Sequence, residues 1–458
     1  MTAVQLTQPA LGLEASHVAA PLSIHVTIEN ELASARSEYV KRLPASKAQH
    51  ELASKFLPGG NTRSVLFNEP FPVVMREGRG NRLWDIDEHE YLDLVGELTA
   101  GLYGHSNPIL KETVVSTLEN TGISLGATTK GESRLAELLC QRFPSVERVR
   151  FCNSGTEANL YALSIAKHVT GKKKAIVFNG GYHGGLLSFG HGVSEINVDK
   201  NDWVLGTFND VEGTKSLIED TPDVAAVLVE AMQGAGGCLP ATVGFLQTIQ
   251  ATAEKCGVVF ILDEVMTSRL HPHGLQGKFN LRPGLTTFGK YIGGGMSFGG
   301  FGGRADLLAS CDPRQPSSLV HSGTFNNNTL SMNCGFVGLS QIYTPEAATE
   351  LNSLGDYFRE RLQEVAKGSQ MVVTGVGAVL TVHFQTNGAV PVCVEDLEAH
   401  SNAPLKRLFW FWCLSKGFWI TERGMVSIIL GTTKDELDSF VEVVCLFLKN
   451  YSHLVSLH

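Results

Sequence analysis

Four short stretches of the 458-residue sequence carry residue types whose spacing could do chemistry. In TTFGKYIGGGMS (286–297) one lysine, Lys290, stands between an apolar run and a string of glycines. A lysine amine in a desolvated setting gives up its proton readily and can attack a carbonyl. A lysine beside glycine-rich backbone can also serve a phosphate, and one in a loop can simply be solvated. In FCNSGTEANLYALSIAKHV (151–169) a short apolar strand runs into Ser154, Gly155 and Thr156, and apolar residues then recur at helical spacing. Backbone N–H groups and two hydroxyls at a helix start can hold a phosphate dianion. Ser154 and Glu157 equally fit a capping box. VVFILDEVMTS (258–268) ends an unbroken apolar strand on Asp263. An acid at the carboxyl end of a buried parallel strand faces the crevice where such folds bind ligands. It could pair there with a protonated pyridine nitrogen, or form a structural ion pair with Arg269. NGGYHGG (179–185) sets Tyr182 and His183 among glycines, as a plain turn or as an aromatic face for a flat heterocycle.

Nucleotide readings of the glycine-rich stretch fit poorly. GLTTFGKY (284–291) misses a Walker A loop at its last position, where Tyr291 replaces the hydroxyl that ligates Mg²⁺. The glycines that follow would make a very poor helix. GFGGRA (300–305) matches a dinucleotide fingerprint in outline, but no strand precedes it and Val320 stands where the ribose-binding acid belongs. HPH (271–273) offers two imidazoles on a loop, too few for a metal site. With a phosphate cradle at 154–156, Lys290 is released from that duty. A phosphate cradle, a strand-end acid, a stacking ring and a desolvated lysine together meet the needs of pyridoxal phosphate. Its aldehyde condenses with an amine, and its ring nitrogen must keep a proton for the ring to act as an electron sink. The displaced lysine can then move the substrate's α-proton.

The elements that must position these residues are legible in outline. Unbroken apolar strands at 149–152, 174–178, 225–230 and 258–265 alternate with helical stretches such as GFLQTIQATAEKCG. That alternation predicts an α/β fold with a mostly parallel sheet covered by helices on both faces. Residues 1–30 read as a poorly ordered leader, 31–100 as the first part of a small domain, 101–335 as the large domain, and 336–458 as the rest of the small one. Net charge is −9, hydrophobic residues make up 43%, and no long basic run occurs, so nucleic acid is not an expected partner. No apolar run reaches the ~20 residues of a membrane span. Nine scattered cysteines and an N-terminus without a basic region point to the cytoplasm.

NSGTEAN, DEVMTS, TTFGKYIGGG and HSGTFNNN resemble the class III, fold-type I aminotransferases, from about residue 50 to the end. NTRSVLF, ELTAGLYGHSNP and DEVMTSRLHPHGL are similar to the β-phenylalanine (β-amino acid) type, and glutamate-1-semialdehyde aminomutase is a more distant likeness. The resemblance implies that Lys290 binds the aldehyde and shuttles the proton, and that Asp263 pairs with the ring nitrogen. It further implies that Ser154, Gly155 and Thr156 hold the phosphate, Tyr182 and Val265 line the ring, and Gln233 lies near the phenolic oxygen. Thr324 would reach the phosphate of a neighbouring subunit, which makes a homodimer obligatory. Arg63 and Arg423 would read substrate carboxylates, a role that suits a guanidinium fork. Ala231 departs from the proline often found there. The implied activity moves an amino group from a β-amino acid or aryl amine to 2-oxoglutarate or pyruvate, with an aminomutase as the alternative and a nucleotide-binding protein as a remoter one.

Overall fold

Seven strands form the central sheet of the computed structural model, which describes residues 22–457. In chain order they are β1 (Arg148–Cys152), β2 (Lys174–Phe178), β3 (Trp203–Gly206), β4 (Val224–Glu230), β5 (Val259–Asp263), β6 (Leu285–Gly289) and β7 (Gly299–Gly303). Their order across the sheet is β1-β7-β6-β5-β4-β2-β3, and only β7 runs antiparallel to its neighbours. The apolar strands are apolar throughout because both faces are covered. Phe260 and Leu262 join one hydrophobic cluster, and Val259 and Ile261, pointing the other way, join a second.

The glycines of β7 have a steric cause. A β-carbon on Gly299 would lie 2.1 Å from the Ser154 carbonyl oxygen, and one on Gly303 would lie 2.1 Å from that of Gly284. The reversed strand can therefore pass beside the turn that follows β1 only without side chains at these points. The covering helices start and stop where local chemistry directs. Thr242 caps helix Val243–Cys256 by accepting from the Phe245 N–H, and Gly257 ends it at φ 62°.

The chain's two ends meet outside this sheet. Strands Met75–Arg79, Arg82–Asp85 and Glu90–Asp93 form an antiparallel ribbon, and the late strand Phe418–Trp419 adds to it parallel to Glu90–Asp93. A second sheet joins Met371–Val376, Val379–Phe384 and Met425–Ser427. The expected leader is corrected in part: helix Leu22–Arg42 already includes residues 22–30 and packs on helix Ala403–Ser415. The remainder of that leader lies outside the described residues. Among the described residues no helix is long and apolar enough to cross a membrane.

Candidate active site

The carboxyl ends of β1, β4, β5 and β6 converge on one edge of the sheet. Register places Asp263 directly beside Glu230 on β4 and Thr287 on β6. Asp263 is 4% exposed, and both oxygens of its carboxylate accept hydrogen bonds. Oδ2 accepts from His183 Nδ1 and from Asn159 Nδ2, both at 2.8 Å, and Oδ1 accepts from the Val265 N–H at 2.9 Å. Thr287 Oγ1 donates to Asn159 Oδ1 at 2.8 Å, so the amide that holds the carboxylate is itself held. Only a backbone amide occupies Oδ1, which leaves it acceptor capacity toward a ligand.

The alternative partner, Arg269, is corrected by the structure. Its buried guanidinium donates instead to the Thr99 carbonyl at 3.3 Å, to Ser427 Oγ at 2.9 Å and to the Ile428 carbonyl. Thr99 ends a turn in which Glu97, Leu98 and Thr99 all have left-handed φ (48°, 52° and 80°). Three consecutive non-glycine residues in that region are strained, and such strain persists only where surroundings over-determine it. Arg269 supplies that restraint at the rim of the site.

Lys290 follows β6 directly, with φ 56°, and opens a single 3-10 turn, Lys290–Gly293. No Walker helix follows it. Burial pushes its ammonium down to about 8, although the Asp263 and Glu230 carboxylates pull the other way. Glu230 is itself pushed up to about 7 by burial, and accepts from the Tyr182 and Gly234 N–H groups at 3.0 Å each.

The expected phosphate cradle is the N-terminus of helix Gly155–Thr170. Ser154 Oγ accepts from the Glu157 N–H at 3.2 Å, and Glu157 Oε2 reaches back to the Asn153 N–H at 3.0 Å. The cap at Ser154 is present, but Glu157 reaches the residue before the cap and does not close a capping box, and the Ser154 hydroxyl proton stays available. Gly155 is sterically required: a β-carbon there would lie 2.8 Å from Val265 Cγ1, and one on Gly289 would lie 3.0 Å from the same methyl. Val265 thus wedges between the helix start and the strand that ends at Lys290. Thr156 Oγ1 accepts from the Gly185 N–H at 3.3 Å. Gly155→Ala is expected to cost on the order of 1–3 kcal/mol of stability by overpacking and to loosen the cofactor. Thermal melting and equilibrium dialysis of pyridoxal phosphate check this; a variant unchanged in both would contradict the assigned packing.

A cleft of about 1190 Å³ opens beside this edge, with Tyr182, Arg63 and Arg423 on its walls. Tyr182 is 47% exposed and free to present its ring. Arg63 is committed to Glu97 at 2.6 Å. Arg423 has no carboxylate partner among the described residues, and burial lowers its pKa. Gln233 Nε2 donates to the Asn179 carbonyl at 2.8 Å, whereas its buried Oε1 has no partner. Thr324 is exposed in the single chain; its neighbour Asn326 accepts from Asn153 Nδ2 at 3.0 Å, next to the cradle. Sequence reasoning missed Asn159, Thr287 and Glu230. The available signal was Asn159, a polar residue between the core alanines Ala158 and Ala162.

These residues fit pyridoxal phosphate. A helix start for an anion, a strand-end carboxylate with a free lone pair, a depressed lysine and an orphaned amide oxygen face one edge. The comparisons agree. The model of the family Aminotransferase class-III matches residues 67–443. An uncharacterized aminotransferase of Schizosaccharomyces pombe is 50% identical over 404 residues, 88% of this chain and 92% of that protein. The β-phenylalanine transaminase of Variovorax paradoxus is 44% identical over 94% of this chain and 99% of its own. The crystal structure of the β-phenylalanine aminotransferase from that organism superposes with a TM-score of 0.91, covering 94% of this chain and all of that one. A glutamate-1-semialdehyde 2,1-aminomutase of Bacillus pumilus is 32% identical, over 87% of this chain and 96% of its own. The chain belongs to the class-III aminotransferase family and is a fold-type I enzyme that uses pyridoxal phosphate.

Proposed function

We propose that this aminotransferase takes the amino group of a β-amino acid resembling β-phenylalanine, or of a related aryl amine. It passes that group to a 2-oxo acid, 2-oxoglutarate or pyruvate, in a ping-pong cycle. The observation that carries this reading is Arg423, a guanidinium without a carboxylate partner in a cleft otherwise walled largely by apolar side chains and backbone. A carboxylate placed there would gain bidentate, charge-assisted hydrogen bonds.

Bound pyridoxal phosphate supplies an electron sink for the substrate carbon that carries the amine. The chain's own residues supply the rest. Ser154, Gly155 and Thr156 anchor the anion, and Tyr182, Val265 and Gln233 line the group. Asp263, locked by His183 and Asn159, holds the proton on the ring nitrogen. Lys290, neutral in part near neutrality, takes the proton from the amine-bearing carbon of the donor and, in the second half of the cycle, delivers one to the former carbonyl carbon of the 2-oxo acid. A homodimer in which Thr324 serves the partner's phosphate completes the proposal, supported by that residue's exposure. A cytoplasmic location is consistent with nine free cysteines.

The test withholds the second substrate. Enzyme mixed with β-phenylalanine alone should transfer one amino group per site and stop, turning over only when a 2-oxo acid is added. Sustained isomerisation without any 2-oxo acid would instead establish an aminomutase. Arg423→Ala should raise KM for β-phenylalanine by about tenfold or more, the loss of one charge-assisted contact. It should leave 1-phenylethylamine, which has no carboxylate, little changed. Arg63→Ala should act in the same direction but less, because Glu97 already compensates that guanidinium. Equal losses on both donors would count against carboxylate recognition.

A further inference from the structure

Beside Arg423 the cleft holds a second cation that no role above uses. Lys406 projects from helix Ala403–Ser415 into the same cleft. Its Nζ lies 3.4 Å from His383 Nδ1. The tautomer of His383 follows from its other side. Thr374 Oγ1 donates to the Gly237 carbonyl at 2.6 Å, so its proton is spent. His383 Nε2, 2.9 Å from that hydroxyl and 3.0 Å from the same carbonyl, must then carry a hydrogen and donate it. Nδ1 is left with a lone pair, and Lys406 donates to it. A neutral imidazole therefore orients Lys406 without cancelling its charge. The acids on this wall are engaged elsewhere: Glu422 accepts from Arg407 Nε at 2.7 Å and from Asn68 Nδ2 at 2.8 Å, and Glu398 lies 3.0 Å from His191 Nδ1. Burial lowers the pKa of Lys406 to about 8, and the nearby Arg423 cation adds to that shift. Two neighbouring cations that disfavour each other are stabilised together by an anion.

Resting on the aminotransferase reading above, we infer that Lys406, oriented by His383, joins Arg423 in a carboxylate subsite that selects a dicarboxylic 2-oxo acid over a monocarboxylic one. Arg63, which lines the same cleft and is paired with Glu97 at 2.6 Å, would take the carboxylate beside the keto carbon that every 2-oxo acid carries, leaving Arg423 and Lys406 to the distal one. A substrate with two carboxylates can engage both, and one with a single carboxylate cannot.

The test uses the cofactor-loaded enzyme and two ligands that cannot react, glutarate and butyrate, with binding followed by calorimetry. Wild type should prefer glutarate by about tenfold or more, the worth of one charge-assisted contact. Lys406→Met should remove most of that preference and leave butyrate within about twofold. Lys406→Arg should keep it, and Lys406→Gln should repeat the loss should the methionine variant fold poorly by its melting curve. In turnover, Lys406→Met should raise KM for 2-oxoglutarate about tenfold more than KM for pyruvate. Equal weakening of both ligands, or an unchanged preference in the Met and Gln variants, would overturn the assignment while amino transfer persisted. A wild type that carried amino groups to no 2-oxo acid would instead defeat the function itself, and this subsite with it.

Discussion

Lys290→Ala is expected to abolish amino transfer, since proton transfer by a positioned group alone is worth about 10²–10⁴-fold. The variant should keep its fold, because Lys290 follows β6 and lies outside the register that pairs the strand with β7. Its bound pyridoxal phosphate should dialyse away and absorb like the free compound. Substantial turnover in the variant would remove Lys290 from the chemistry. A pH signature accompanies this. The side chain's pKa is about 8 when folded, below the ~10.4 of an unfolded lysine. Between those values the unfolded chain holds a proton that the folded chain has lost, so stability rises with pH across that window. Relative to a Lys290→Met variant, the cofactor-free wild type should therefore gain stability as pH increases above about 8. Denaturant titrations of both across that range check the sign; a falling difference would mean the lysine is not desolvated.

Asp263→Asn should cost about 10²–10³-fold in kcat, the range seen when a fixed electrostatic partner of a reacting system is removed. Its cost in stability should be about 1–3 kcal/mol, that of one unpaired buried donor. An asparagine carbonyl in place of Oδ2 still accepts from His183 and Asn159, and only the bond from the Val265 N–H is lost. Asp263→Ala would leave all three donors unpaired in the core, at about 1–3 kcal/mol for each buried group. The pair of variants separates charge from scaffold. Equal kcat in Asp263→Asn and wild type would show that the carboxylate does not act on the ring nitrogen. Melting curves that fell equally in both variants would contradict the hydrogen-bond network described.

Much of the site could be read along the chain, because its parts sit where local sequence is most constrained. An apolar run ending in an acid, a Ser-Gly-Thr turn into a helix and a lysine before glycines are each contained in about ten residues. Their order also suggested the parallel sheet, since strands buried on both faces lack the alternation of half-exposed ones. The reversed strand β7 was not legible, because GGFGG has neither strand propensity nor pattern. Its glycines are explained only by the backbone passing beside Ser154. Helix Leu22–Arg42 was partly missed for a related reason: its early residues lie in a stretch of weak pattern, and packing on helix Ala403–Ser415 stabilises it.

From residue types and spacing alone followed the cofactor and the candidates for the lysine that meets it, the acid for its ring and the anion cradle. These are properties of single strand ends and one helix start, where chain direction already aims the side chain. Tertiary structure alone assigned the partners. Asp263 is held by His183 and Asn159 rather than Arg269, Arg63 is neutralised by Glu97 whereas Arg423 is not, and Lys406 joins the cleft wall. Each of those relations spans from 34 to more than 100 residues of sequence or depends on the packing of separate lobes. A charge's worth depends on which neighbours desolvate or compensate it, and only folding brings those neighbours together.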